Sequence, residues 1–452
     1  MRFNIPDSLR SGRLFGGLVF AAAFAAYFAT LAPSIGFIDA GELAAAAHSL
    51  GVTHPTGYPL FTMLASLFAK LPLGGTVIWK LNLLAALFCA AAVRAFYALF
   101  LALPRAMRKG REGVSSSEPS WADRVAAATG ALSLAFGATF WAQATGVEVY
   151  SLHLLLVALI LLAFLRALPE GAFAPGTRRD PLARRSRWCL FSFVLGLGFA
   201  NHMTTLLLLP ALFFAYFAVH GFGRAAWKNA GISAPFYLLG LTPYLYLPIR
   251  AAAHPAMNWG AIVDWESFRW HVSGRQYAGW MFSSWDTALR QARLFLDTWP
   301  SETGYLPLIL AAFGLIALFR ASRRLFIFPL LLLAGCLAYA VNYDISDVVN
   351  YFLLAYIATA LCAVFGARAL LDVAKGKAFF GALAVCAASV VLPLALNARE
   401  ANERGNFAVE DYARSMLESL GPGAVIFSTQ WDHFVAGAWY LQSVEGVRPD
   451  VA

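Results

Sequence analysis

The sequence predicts an all-α polytopic membrane protein of about eleven transmembrane helices, followed by the start of a soluble α/β extracytoplasmic domain. Three observations carry that prediction. Hydrophobic residues make up 60% of the 452 and charged residues only 13%, with a mean hydropathy of +0.64, which does not fit a soluble chain of several domains. Apolar runs of roughly 17 to 25 residues recur along most of the chain, each about long enough to cross a bilayer as a helix. The basic residues behind the formal charge of +9 sit in short loops between those runs, where they orient the chain and do not mark an anionic partner. A soluble enzyme and a nucleic-acid binder are excluded.

The first run, Leu14 to Pro33, follows Arg2, Arg10 and Arg13 and has no small-residue cleavage pattern, so it reads as a retained span. Further spans are expected at Ile78 to Leu103, Val125 to Trp141, Val149 to Leu168, Trp188 to Ala200, Thr204 to Val219, Ala230 to Pro248, Tyr305 to Phe319, Leu325 to Val341, Tyr351 to Leu371 and Phe379 to Leu396. Tyr58 to Leu73 is weaker and Pro-rich at its start, which suits a re-entrant or interfacial piece. Cys89, Cys189, Cys336, Cys362 and Cys386 lie in or beside apolar runs without paired spacing, and read as buried, inert thiols. Residues 1–397 therefore form a membrane domain. In residues 398–452 the composition turns soluble: a helix near Val409 to Leu420, a strand Ala424 to Ser428 and a helix near Phe434 to Val444 read as the beginning of an α/β unit, cut off where the next strand should start.

With a cytoplasmic N-terminus, the loops bearing Arg105 to Arg111, Arg178 to Arg187, Arg224, Lys228, Arg320 to Arg324, Lys375 and Lys377 fall inside, as the positive-inside bias requires. The outer face then receives Ser34 to Gly57, the turn Trp141 to Tyr150, Asn201–His202, Arg250 to Pro300 and Asn342 to Asn350. These segments hold nearly all the chemically unusual residues. The expected location is a cytoplasmic (inner) membrane, multi-pass, with the site facing the periplasm or exterior.

In the first outer loop, Asp39-Ala-Gly-Glu42 precedes a helix that Gly51 ends. Asp39 as N-cap and Glu42 at N3 describe a capped helix, yet a carboxylate at the membrane rim is also placed to act as a base. The rigid turn His54-Pro-Thr-Gly-Tyr58-Pro presents His54 back toward that acidic pair, or is a plain interfacial turn with a Tyr anchor. Glu148, Tyr150 and His153 stand at the outer end of one helix, and Asn201–His202 interrupts two apolar runs with no room for a loop, so its polar groups face a cavity or bond a neighbouring helix. Arg250 ends a span as a phosphate clamp or a lipid headgroup contact. Asn258 and Trp259 follow it, and Asp344, Asp347 and Tyr351 add two carboxylates and a phenol on the same face, where Asp347 also suits a helix cap. Convergence on one face points to a polar pocket at the outer rim.

The order and spacing of Asp39-Ala-Gly-Glu42, His54-Pro-Thr-Gly-Tyr-Pro59, Glu148-Val-Tyr150-Ser-Leu-His153, Asn201-His202, Tyr246-Leu-Pro-Ile-Arg250 with Asn258-Trp-Gly260, and Asp344 to Tyr351 resemble the C-type (GT-C) membrane glycosyltransferases, in the protein O-mannosyltransferase-like group and its bacterial branch. Thr56 replaces the second proline of that group's His-Pro-Pro-Gly pattern, and Ala40 replaces its first-loop serine. The resemblance implies a GT-C-like fold and transfer of a sugar, mannose favoured, from a polyprenyl-phosphate carrier to an extracytoplasmic protein or glycan hydroxyl. It implies Asp39 as general base with Glu42 second, and His54, His202 and Arg250 as donors to the leaving phosphate. Direct displacement would invert the anomeric centre. No cofactor and no metal are expected, although carboxylates that converge are open to a divalent ion. The rival readings are a transporter or flippase for a lipid-linked or acidic solute and a non-catalytic assembly protein.

Overall fold

In the computed structural model the described residues are 12–107, 118–174 and 180–452. The basic stretches 1–11, 108–117 and 175–179, which carry part of the sidedness reading, lie outside them. The described residues are helical with only isolated β-bridges. Among the described residues seven helices are long and apolar enough to cross a membrane, or up to nine if each of two bent pairs is one span. The expected eleven crossings are thus not eleven continuous helices. Leu14–Ala29 and Pro59–Ala69 are shorter apolar helices, and the 11 residues of the latter rise only about 16 Å, roughly half a hydrocarbon core. That agrees with a re-entrant or interfacial piece.

Burial separates centre from periphery. The apolar windows of Val149–Ala167 and Val348–Val373 are 78% and 83% buried, whereas that of Lys377–Asn397 is 22% buried, so the first two form the bundle core and the last turns most of its surface outward. Small residues set the closest crossing, as expected where lipid removes the hydrophobic drive between helices. A Cβ on Gly314 would run into the Cys362 carbonyl, and one on Gly366 into the Leu310 carbonyl. Gly366→Val is therefore expected to destabilise the bundle by about 1–3 kcal/mol or more, read as a lower unfolding midpoint in detergent.

Two bends are joined by one long-range contact. Trp121–Ala135 and Ala138–Thr145 meet at 68°, and Trp285–Glu302 and Leu306–Ala321 at 102°. The buried Glu302 carboxylate accepts from the Thr139 backbone N–H at 2.9 and 3.0 Å and from its hydroxyl at 2.9 Å. It satisfies the free N–H groups at the start of Ala138–Thr145 and complements that helix's dipole.

After Asn397 the helices Ala408–Glu418 and Ala436–Ser443 appear where expected, but Ala424 to Ser428 is not a regular strand. Its pairing is limited to Ile426 N–H donating to Ala452 (2.7 Å) and Ala452 N–H to Ala424 (3.0 Å). This segment also packs on the first outer loop. A Cβ on Gly41 would collide with the Ala436 carbonyl, and the Tyr440 hydroxyl accepts from the Ile78 N–H at 3.1 Å. All five cysteines are free and buried.

Candidate active site

Asp39 stands before the helix Ala40–Ser49, and its side chain makes no capping bond there. The carboxylate is left for other partners. Ile38, held at φ 61, costs about 1–3 kcal/mol for a branched residue and turns the chain into this helix. Asp39 Oδ1 accepts from the indole N–H of Trp431 at 2.7 Å, a contact 392 residues away in sequence. Its other oxygen lies 3.7 Å from His54 Nε2.

Glu42 sits one turn on, fully buried beneath His54. His54 donates from Nδ1 to Glu42 Oε2 at 2.6 Å and from its backbone N–H to Oε1 at 2.7 Å. Burial pulls the His54 pKa down, but the charges of Glu42 and then Asp39 outweigh it and raise the group to about 10. The ring is an imidazolium at neutral pH. Its Nε2 meets the Tyr58 hydroxyl at 3.0 Å, and Gly57 at φ 89 permits the turn that brings Tyr58 back.

Asp39, His54, Tyr58, Glu148, Tyr150, His202, Trp259, Asp347 and Tyr351 line one cavity of about 770 Å³. Burial, then the charges of Asp39 and Asp347, hold the Glu148 carboxyl well above the usual carboxylate range. Burial likewise raises Asp347, against the hydrogen bond from Asn350. His202 is pushed down by burial and then by His153 and His54, and stays neutral. It stacks on Tyr58 with ring centroids 5.7 Å apart and takes the Thr204 hydroxyl at 2.7 Å on Nδ1. The cap expected of Asp347 is not made by its side chain, which instead accepts from Asn350 Nδ2 at 3.2 Å.

Other expected site residues lie elsewhere. Arg250, expected as a phosphate clamp, donates to the carbonyls of Leu50 (2.7 Å) and Ser49 (3.3 Å) and so closes the C-terminal end of Ala40–Ser49. Asp344 pairs with Arg290 at 2.7 Å, largely exposed. Asn201 donates to the Val149 carbonyl at 3.3 Å, and His153 Nε2 contacts the Thr204 hydroxyl at 3.0 Å from below the cavity. Asn258 bridges Val52. Glu42 supports His54 and does not face the cavity. Residues not singled out from sequence line it as well, among them Tyr277, Trp280, Tyr343 and Asp432.

Asp39, Glu42 and His54 offer ligand atoms within 4.8 Å of one another. Both Glu42 oxygens and one Asp39 oxygen already accept hydrogen bonds, and a metal would have to displace the His54 proton. The set fits a carboxylate–imidazolium pair better than a metal ligand shell.

Residues 39–221 match the family model described as the N-terminal domain of protein O-mannosyl-transferase TMEM260. That match begins at Asp39 and takes in Glu42, His54, Glu148 and Asn201–His202. The resemblance to GT-C O-mannosyltransferase-like proteins holds. Over 470 residues the chain is 28% identical to the mouse protein O-mannosyl-transferase TMEM260, covering 98% of this chain and 63% of that protein. A Dictyostelium discoideum protein of the same description is 25% identical over 313 residues, covering 67% and 36%. The chain thus spans less than two thirds of each relative's length.

The fold is also that of solved structures. ArnT from Cupriavidus metallidurans bound to undecaprenyl phosphate superposes with a TM-score of 0.61 at 14% identity, covering 96% of this chain and 85% of that one. An Archaeoglobus fulgidus oligosaccharyltransferase, solved in complex with Zn and sulfate, gives 0.53 at 14% identity over 94% and 61%. The chain therefore has a GT-C-like fold.

Proposed function

We propose that the protein is an inverting membrane glycosyltransferase that moves a sugar, mannose favoured, from a polyprenyl-phosphate donor to a protein or glycan hydroxyl outside the cytoplasmic membrane. One observation carries the reading. The Asp39 carboxylate caps nothing, faces a cavity large enough for a sugar phosphate, and is held by an indole N–H beside a buried imidazolium.

In this reading the acceptor oxygen attacks the anomeric carbon while Asp39 takes its proton, and the bond from that carbon to the phosphate oxygen breaks. The polyprenyl phosphate leaves as an anion, and the proton on Asp39 passes to water. The His54 imidazolium and the hydroxyls of Tyr58, Tyr150 and Tyr351 supply fixed donors near the departing charge. The raised carboxyl pKa values of Glu148 and Asp347 lessen their repulsion of it. Met203, Leu206 and Leu207 line the cavity, and Leu206 is 52% exposed on the bundle surface, an apolar side through which a lipid tail can pass. The names of the relatives, and the lipid phosphate named with ArnT, support the substrate class. No resident metal enters the scheme, in keeping with the occupied carboxylate oxygens.

Reconstitution in vesicles separates this from a flippase. With labelled polyprenyl-phosphate mannose outside and a serine-rich peptide with it, the enzyme attaches label to peptide. Label that crosses the membrane still joined to its lipid would support the transporter instead. Trp431→Phe keeps the ring and removes the N–H, so kcat is expected to fall about tenfold, the effect of one hydrogen bond to a charged acceptor worth about 1.5 kcal/mol.

A further inference from the structure

One histidine lies where packing alone does not call for it. His153 belongs to the helix Val149–Ala167, whose apolar window is 78% buried and forms part of the bundle core. Its Nδ1 is sealed off and has no hydrogen-bond partner among the described residues. A leucine there would bury its side chain without an unmet polar atom. The other ring nitrogen, Nε2, meets the Thr204 hydroxyl at 3.0 Å, across 51 residues of sequence.

The hydrogen bonds around Thr204 run in one direction. Between the helices Arg185–Phe199 and Leu209–His220 the chain makes the short turn Met203–Leu208, and His202 caps it by accepting the Thr204 N–H on Nδ1 at 3.3 Å. The same nitrogen lies 2.7 Å from the Thr204 hydroxyl. A ring nitrogen that accepts from a backbone N–H carries no proton, so the hydroxyl donates to it as well, and Thr204 has no second hydroxyl proton to give. Thr204 Oγ1 therefore accepts from His153 Nε2. The row runs from His153 Nε2–H through the Thr204 hydroxyl to His202 Nδ1, and the one proton of the neutral His202 ring is left on Nε2.

That proton faces the active-site cavity. His202 lines the cavity, and its Nε2 has no partner among the described residues yet is not one of their sealed, unpaired atoms. The ring also stands at a change of lining. Tyr58 and Tyr150 lie against it, with centroids 5.7 and 4.9 Å away, while Met203, Leu206 and Leu207 follow it along the apolar side. A lipid-linked sugar with its sugar by Asp39 and its tail on that apolar side places its phosphate at this boundary.

We infer that His153 is a positioning residue: acting through Thr204, it holds His202 as a neutral Nε2–H donor aimed at the phosphate of the lipid donor. The inference rests on the glycosyltransferase reading and adds to it a donor whose direction is set from below the cavity. The ring takes no second proton while both donors to Nδ1 are in place, and hydrogen bonds in a row strengthen one another as charge builds on the phosphate.

The test uses the full protein with one structural and one kinetic readout. In protein labelled with nitrogen-15 histidine, His202 is identified by the signals lost in His202→Gln, and is expected to show a single neutral tautomer with its proton on Nε2. A proton on Nδ1 would overturn the assignment whether or not the protein turns over a donor. With labelled polyprenyl-phosphate mannose and a serine-rich peptide, Thr204→Val and His153→Leu are each expected to lower kcat about tenfold and leave donor KM within about twofold, because the bond to the phosphate strengthens in the transition state. Thr204→Ser keeps the hydroxyl, and the amide N–H of His153→Gln stands near the place of Nε2, so both are expected to retain most of kcat. The double variant Thr204→Val with His153→Leu is expected to be no slower than either single one, since both break the same row. Losses that multiply, or a His153→Gln no faster than His153→Leu, would overturn the relay. Absence of turnover by wild type with every donor would remove the enzyme reading, and this role with it, even where the tautomer is as expected.

Discussion

Asp39→Asn is expected to lower sugar transfer by about 10²- to 10⁴-fold, the range that a positioned general base contributes, while donor binding and the unfolding midpoint stay at wild-type values. The exchange is clean on structural grounds. Asparagine keeps an oxygen for the Trp431 indole, and Asp39 makes no side-chain cap that the helix Ala40–Ser49 would lose. What disappears is the ability to accept a proton. Transfer assays and donor-binding isotherms on the two proteins in parallel check this. A variant with undiminished turnover would leave the cavity without its proposed base.

The largest expected effect on stability comes from the pair beneath the site. Glu42→Ala removes both acceptors of His54 and leaves a buried ring made for a partner, which typically costs about 3–5 kcal/mol. Thermal or denaturant unfolding in detergent measures it. The same pair predicts a pH dependence. His54 keeps its proton to about pH 10 in the folded protein and releases it near 6.5 when unfolded. The folded state binds the extra proton between those values, so the stabilisation is complete below about pH 6.5 and is lost as pH rises toward 10. Relative to His54→Gln, the wild type is expected to lose roughly 1.4 kcal/mol per pH unit across that window. A parallel pH profile for the two proteins would mean that the ring is neutral and that Glu42 does not hold a charge against it.

Much of the membrane architecture was legible because span length and polarity are properties of local sequence. The apolar runs at Val149 to Leu168 and Tyr351 to Leu371 became the buried core, and the weak run after Tyr58 became a helix too short to cross. The contact that joins the bends was not legible, because Glu302 reaches Thr139 across 163 residues, and a carboxylate in an amphipathic helix gives no hint of such a partner. The same limit applies to Trp431 and Asp39. Motif spacing pointed to Asp39, His54, Glu148 and His202 together because the expected order of spans puts each in a segment on the same face. Arg250 shows where that logic stops. A guanidinium at a span end looks alike in sequence whether it meets a phosphate or, as here, the last carbonyls of a neighbouring helix. Asp39 and Asp347 made the opposite point, since both fit a capping pattern and neither side chain caps its helix.

The acidity of the cavity follows from this layout and bears on how a phosphate is received. Asp39, Glu148, Asp347 and Asp432 all line it, and His54 is the one strongly basic side chain among the described lining residues. In the proposed reaction, raised carboxyl pKa values at Glu148 and Asp347 ease the repulsion, and neutral hydroxyl donors from tyrosines take the part that arginines take in phosphate sites.

The measurement that tests the central claim most directly is mass spectrometry of a serine-rich peptide incubated with the purified full protein and a panel of polyprenyl-phosphate sugars. The account predicts that one donor, the mannose form favoured, adds a single sugar to a serine or threonine oxygen and leaves free polyprenyl phosphate. Peptide and glycan acceptors both unmodified with every donor, while the protein demonstrably binds one of them, would contradict it.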